Sequence, residues 1–162
     1  EFRRVLFRSG RYRQLMRRWL GEAFPERYMM FIGMNPSTAD AMVNDPTCAR
    51  EWTFTQREGF DAMVKANVGD YRATDPKMLL APGVEAVSAE NLPTIRAQAA
   101  KAGKVVVCHG KLNKALAPAG KALIEALTAD GIELWCFGQN GDGSPKHPLY
   151  LRGDTPLIRY VV

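Results

Sequence analysis

Four short apolar runs punctuate an otherwise mixed chain: residues 28–34 (Tyr-Met-Met-Phe-Ile-Gly-Met), 62–66, 104–108 and 133–137. They read as buried strands, the second being the weakest because Lys65 interrupts it. Helical stretches lie between them, which is the alternation of a parallel sheet built from βαβ units. The first helix is expected to start at Asp45-Pro46-Thr47, with Asp45 as N-cap and Pro46 at the first helical position, and to end near Gly59. A second is expected over 88–102, stopping at Gly103. A third is expected over 113–129, carrying Leu112, Leu116, Ala119, Leu123, Ala126 and Leu127 on one face and terminated by Gly131. Residues 11–20 fit either a helix, through Tyr12, Leu15 and Trp19, or an edge strand, and the tail 156–162 reads as a final short strand.

The first run stops abruptly at Asn35-Pro36-Ser37-Thr38-Ala39-Asp40. Pro36 fixes its own φ, removes a donor and pushes Asn35 toward extended geometry, leaving the following amides free to face a ligand. Taken alone, such a turn is a strand-to-helix connection with capping side chains. In a parallel sheet, however, the carboxyl ends of all strands share one edge, so the residues after each run should converge there. Those residues are Asn35 to Thr38, then Asn67 with Asp70 to Asp75, then His109-Gly110-Lys111, then Gly138 to Tyr150. This edge would hold both histidines and a Gly-rich loop, a stronger signal than any single motif.

Length and composition permit one domain of ordinary globular character, with 162 residues, 46% hydrophobic and 24% charged. No run approaches the length of a membrane span and none reads as a signal peptide, so a cytoplasmic protein without membrane association is expected. Cys48, Cys108 and Cys136 lack CxxC spacing, and no metal or other cofactor is expected. Seven arginines crowd the first 18 residues. Residues 1–9 look like translated sequencing-adaptor read-through, which leaves 10–162 as the single α/β domain. Without that leader's three arginines and one glutamate the net charge falls from +5 to +3, a mild basic excess compatible with a polyanionic partner. The oligomeric expectation is a monomer.

Among the polar residues His147-Pro148 matters most. Pro148 fixes the backbone beside the imidazole, and a positioned imidazole can donate a hydrogen bond to an anion forming on a leaving group. The alternative is a loop histidine bonded to a carbonyl. His109, directly after a strand, reads as structural. Arg72 with Asp70 and Asp75 is either a salt-bridge cluster or a phosphate clamp, and Asp75-Pro76 reads as a helix start. The loop Gly138-Gln139-Asn140-Gly141-Asp142-Gly143 lacks the GK[ST] ending of a P-loop.

Five motifs in order carry a resemblance: Tyr12-Arg13, Asn35 to Asp40, Asn44-Asp45-Pro46-Thr47, Arg72-Ala73-Thr74-Asp75-Pro76 and His147-Pro148-Leu149-Tyr150-Leu151. Together they resemble a bacterial and phage family catalogued as domain of unknown function sixteen forty-three. A more distant resemblance is to the uracil-DNA glycosylase superfamily, through Gly33-Met34-Asn35-Pro36, a strand-end Asn67 and His147-Pro148. That resemblance implies a three-layer αβα sandwich with a central four-stranded parallel sheet, plus short edge strands. It also implies a nucleobase, nucleotide or DNA as partner. This chain departs from the superfamily at Ser37 and at Leu149-Tyr150.

Two functional readings follow. In the first, the chain is an N-glycosidic hydrolase: His147 stabilises the departing base, Asn35 orients water and Asn67 reads the base edge. Ser37, Thr38 or Arg72 would hold phosphate, and Pro36, Gly110 and Tyr150 complete the binding set. An amide is a poor general base, so Asp40 or Asp45 would supply the carboxylate. In the second, the same crevice belongs to a non-catalytic nucleotide or nucleic-acid binding module, with Tyr71, Tyr150 and Arg72 as stacking and backbone-contacting groups.

Overall fold

A computed structural model describes residues 2–8 by their backbone, and residues 10–37 and 45–162 in full. The strands are β1 (Phe2–Arg8), β2 (Arg13–Leu20), β3 (Met29–Gly33), β4 (Ala62–Asn67), β5 (Lys104–Val107), β6 (Leu134–Cys136) and β7 (Ile158–Arg159). The helices are α1 (Pro46–Arg57), α2 (Asn91–Lys101) and α3 (Ala117–Ala129), with one 3-10 turn at Pro76–Leu80. One sheet joins all seven strands in the order β1-β2-β4-β3-β5-β6-β7.

The sheet is therefore mixed and seven-stranded, where a central four-stranded parallel sheet with short edge strands was expected. Its inner strands β4, β3, β5 and β6 pair in parallel, while β1, β2 and β7 are antiparallel to their neighbours. The ambiguous 11–20 segment is a strand of eight residues, neither short nor at the edge, pairing Met16 with Lys65 and Trp19 with Ala62. Its tertiary surroundings decide this: Leu15 and Trp19 enter the core, Arg17 stacks on Phe24 at 4.8 Å and Arg18 lies over Trp52 at 5.2 Å. Part of the arginine excess thus packs on aromatic rings.

Alternation along the inner strands sorts the core into two halves. Met30, Ile32, Val64, Ala66, Val105 and Val107 face α2 and α3 through Ile95, Ala99, Leu123 and Leu127. Met29, Phe31, Met63 and Val106 face α1 through Phe54, whose ring meets Phe137 at 4.5 Å. Helices thus cover both faces of the sheet. Each α1 signal acts locally: Asp45 accepts the Cys48 N–H at 2.9 Å, Pro46 opens the first turn, and Gly59 follows the last. The other two helices begin later than expected. α3 starts at Ala117 because Pro118 has no N–H to bond backward and so must occupy the first turn. α2 starts at Asn91, while the Ser88 hydroxyl and N–H are both spent on the buried Asp70 carboxylate. No helix among the described residues is long and apolar enough to cross a membrane.

Candidate functional site

The expected convergence of strand ends is partial. A cavity of about 350 Å³ opens at the carboxyl ends of β3 and β4, against the start of α1. It is lined by Asn35, Pro36, Ser37, Asn67 and His147 of the expected set, and by Asp45, named as a possible carboxylate. A shallower depression at the ends of β5 and β6 collects His109, Gly110, Lys111 and Ser144 instead. The strands β3 and β4 are neighbours in the sheet, and the long loop after β6 places Ser144 in the second depression and His147 in the first.

The floor of the cavity is a strand crossing. Gly33 pairs with Asn67 and Phe31 with Lys65 in the β3–β4 register, so Lys65 and Asn67 emerge on the face that Gly33 leaves bare. A Cβ on Gly33 would lie 2.7 Å from Lys65 Nζ and 2.8 Å from Asn67 Oδ1, closer than heavy atoms tolerate. A side chain at this position would have to push the Lys65 ammonium and the Asn67 carboxamide aside. Beneath lies Glu51 of α1, fully buried, accepting from Lys65 Nζ at 2.8 and 2.7 Å on its two carboxylate oxygens. Burial works against the Lys65 ammonium, yet the charge and hydrogen bonds of the Glu51 carboxylate outweigh it and hold its pKa above the usual lysine range. Burial drives the neighbouring Cys48 and Cys108 thiols upward, Cys108 to about 12, so neither is a thiolate at neutral pH.

Two buried asparagines at this end of β4 differ in their bonding. Asn91 donates from Nδ2 to the carbonyls of Asn67 at 2.9 Å and Val68 at 3.1 Å, tying α2 to the strand end. Asn67 is 5% exposed, and its carboxamide makes no hydrogen bond among the described residues. Asn67 lines the cavity, whereas the buried acceptor left without a partner is Asn91 Oδ1.

Around the rim, Asn35 donates to Ala73 O at 2.9 Å and to Pro36 O at 3.1 Å, which commits its nitrogen to the loop and leaves the oxygen for the cavity side of the chemistry. The Ala73 N–H returns a bond to Pro36 O at 2.9 Å, and the two loops are clasped together. Asp45 uses one carboxylate oxygen as helix cap. His147 enters from the far end of the chain. Its loop is fastened to α1 by Arg50, which donates to Leu151 O, and by Arg57, which donates to Gly153 O at 3.1 Å and Thr155 O at 2.5 Å. The Leu149 N–H donates to His147 Nδ1 at 3.2 Å. A ring nitrogen that accepts carries no proton, so the neutral imidazole holds its hydrogen on Nε2. Desolvation, with the Lys65 charge, lowers the His147 pKa and favours that neutral form, against the opposite pull of Asp45.

The remaining expected residues lie elsewhere. Arg72 is outside the cavity wall, and its guanidinium donates to Gly10 O at 3.3 Å. The Asp70 carboxylate serves Ser88 and, at 2.8 Å, the Gln14 amide, so it acts as a loop anchor. Gly110 lies in the shallower depression, its N–H bonded to Pro145 O at 3.0 Å behind His147. Tyr150 is 94% exposed with φ of 69°, beyond the cavity rim. Tyr71 packs edge-on against Tyr12 at 5.6 Å. His109 is buried with Nδ1 2.7 Å from Gly110 O, in keeping with a structural histidine. The Gly-rich loop is a self-closed hairpin, with Asn140 N donating to Ser144 O and Lys146 N to Gly138 O. Thr38 and Asp40 lie outside the described residues. Among the described residues no group of three or more His, Cys, Asp or Glu assembles as a metal site.

Lys65 and Glu51 are the residues that sequence reasoning missed. Lys65 registered only as a flaw in an apolar strand, although a lysine inside such a run is itself the signal: it needs a buried anion or an opening to solvent.

The fold and this cavity define an α/β protein with a cavity at its strand ends. The chain belongs to the family described as Protein of unknown function (DUF1643), whose model matches residues 11–149. No curated protein and no solved structure matches it.

Proposed function

We propose that this cavity binds a nucleobase, and that the protein is an N-glycosidic hydrolase acting on a modified or mispaired base in DNA or a nucleotide. The observation that carries the reading is the meeting of Asn35, Asn67 and His147, three residues far apart in sequence, around one cavity of about 350 Å³. That volume lies at the small end of the range for ligand sites. The parallel run β4-β3-β5-β6 with helices on both faces supports the likeness to the uracil-DNA glycosylase superfamily.

In this reading the unpartnered Asn67 amide pairs with the base edge. The carboxamide oxygen of Asn35 orients a water, and Asp45 takes its proton as the sugar passes through an oxocarbenium-like state. The His147 Nε2–H donates to the base as it leaves with negative charge, and a neutral imidazole serves that role without itself being deprotonated. A base in duplex DNA has to be flipped into the pocket, at a cost of a few kcal/mol that is least for mispaired bases. Exposed Tyr150, next to the His147 loop, is then available to stack on what lies outside. The cytoplasm is the compartment where such a substrate and reduced cysteines meet.

The test is strand cleavage. Oligonucleotides carrying uracil, hypoxanthine or hydroxymethyluracil are incubated with the protein and treated with alkali. Breaks at one modified base, abolished by His147→Ala, are expected. Absence of breaks with every base, alongside salt-sensitive binding, favours the non-catalytic binding module.

A further inference from the structure

We infer that Asn140-Gly141, at the tip of the Gly-rich hairpin, is a site of spontaneous covalent modification, where Asn140 loses ammonia through a succinimide and becomes aspartate or isoaspartate. The inference is independent of the nucleobase reading and concerns a loop that reading leaves unused.

The step needs the backbone nitrogen that follows an asparagine to reach the carboxamide carbon. The Gly141 nitrogen bonds to Asn140 Cγ and closes the ring. The Nδ2 group departs as ammonia, and the proton it gains balances the one lost from the Gly141 N–H. Water then opens the ring at either carbonyl, leaving aspartate or, where the chain now runs through the side chain, isoaspartate. Of the asparagines among the described residues, Asn140 alone meets the requirements. Asn35 precedes Pro36, which has no N–H. Asn67 and Asn91 are buried and precede the bulky Val68 and Leu92. The Asn113 carboxamide is held at both ends, Nδ2 donating to Pro76 O at 3.1 Å and Oδ1 accepting the Ala115 N–H at 3.0 Å.

Asn140 and Gly141 are both exposed, and the Gly141 N–H makes no hydrogen bond among the described residues. Beyond the adjacent residues, no heavy atom lies within 4 Å of the point where a Gly141 Cβ would stand. The Asn140 carboxamide is tied at one end only, Nδ2 donating to Ser144 Oγ at 3.0 Å. The neighbouring Asp142-Gly143 pair lacks this reactivity. Asp142 Oδ1 accepts the Ser144 N–H at 3.0 Å and the Ser144 hydroxyl at 2.5 Å, which keeps the group a carboxylate, a poor electrophile.

The product reshapes the hairpin. The Asn140 N–H donates to Ser144 O at 2.8 Å and its carbonyl accepts the Gly143 N–H at 2.9 Å. An isoaspartate inserts a methylene between those two groups and breaks their register. An aspartate no longer donates to Ser144 Oγ and meets the Asp142 carboxylate across it, like charge against like. At the base of the hairpin Gln139 bridges Pro145, two residues before His147, so the change reaches the loop that positions the imidazole.

The experiment holds the intact protein in mildly alkaline buffer for days, beside an aliquot kept at acid pH, and then digests both with trypsin. The peptide 122–146 contains Asn140 and no other asparagine. It is expected to gain about one mass unit in the alkaline sample and to separate into aspartate and isoaspartate forms. Gly141→Ala, whose methyl has room in this loop, is expected to slow the gain several-fold by crowding the attacking nitrogen. No gain at Asn140 in the folded protein, or equal rates in the wild type and Gly141→Ala, overturns the inference. Earlier ammonia loss at Asn35, Asn67, Asn91 or Asn113 overturns it as well.

Discussion

Asn67 and Asn91 offer a direct test of which asparagine serves the fold and which serves a ligand. Both are buried at the end of β4, at 5% and 1% exposure, and leucine closely matches asparagine in shape at either position. Asn91→Leu removes two donors and strands the carbonyls of Asn67 and Val68, each worth about 1–3 kcal/mol when buried unpaired, and also removes the buried, unpaired Asn91 Oδ1, so a net loss of about 2 kcal/mol is expected. Asn67→Leu removes a carboxamide that has no partner among the described residues and replaces it with apolar surface. Its expected effect on stability is less than about 1 kcal/mol, with ligand binding abolished. Urea denaturation monitored by tryptophan fluorescence measures both. In a chain of this length Asn91→Leu should also melt lower by about 2–4 °C per kcal/mol lost, with Asn67→Leu close to the wild type. If Asn67→Leu costs as much stability as Asn91→Leu, Asn67 is a core residue and the cavity loses its main support.

Other substitutions probe the surroundings. Glu51→Leu alone leaves the Lys65 ammonium buried without its partner and is expected to cost about 3–5 kcal/mol, whereas the pair Glu51→Leu/Lys65→Met returns close to wild-type stability in the same denaturation assay. His147→Ala, in a solvent-facing loop, should change stability by less than about 1 kcal/mol while removing base release in the alkali assay. Burial lowers the His109 pKa despite its bond to Gly110 O. The folded state therefore prefers the neutral ring, and the resulting stability is complete above the unfolded value of about 6.5 and is lost as pH falls through the lower folded value. His109→Gln should flatten the dependence of unfolding free energy on pH below about 6.5. A slope left unchanged by this variant would assign the acid sensitivity to other groups.

What the sequence determined alone is local. Asp45 and Pro46 start α1 because a cap and an N1 proline act within one turn, and Gly131 ends α3 for a similarly short-range reason. The apolar runs identified the four inner strands, and parallel connectivity implied that residues at their ends share an edge. Tertiary structure decided the rest. How each loop folds back over that edge was decided by tertiary contacts, so Asn35, Asn67 and His147 line one cavity while Gly110, Arg72 and Tyr150 lie outside its wall. The 11–20 segment became a strand because β4 offered it an edge and the core took Leu15 and Trp19. Lys65 became tolerable in a buried strand only through Glu51 on the preceding helix, fourteen positions away. Local pattern reports what a residue prefers in water or in a turn. The partner that neutralises a buried charge, or the bare glycine that makes room for it, comes from another part of the chain and exists only once the sheet has formed.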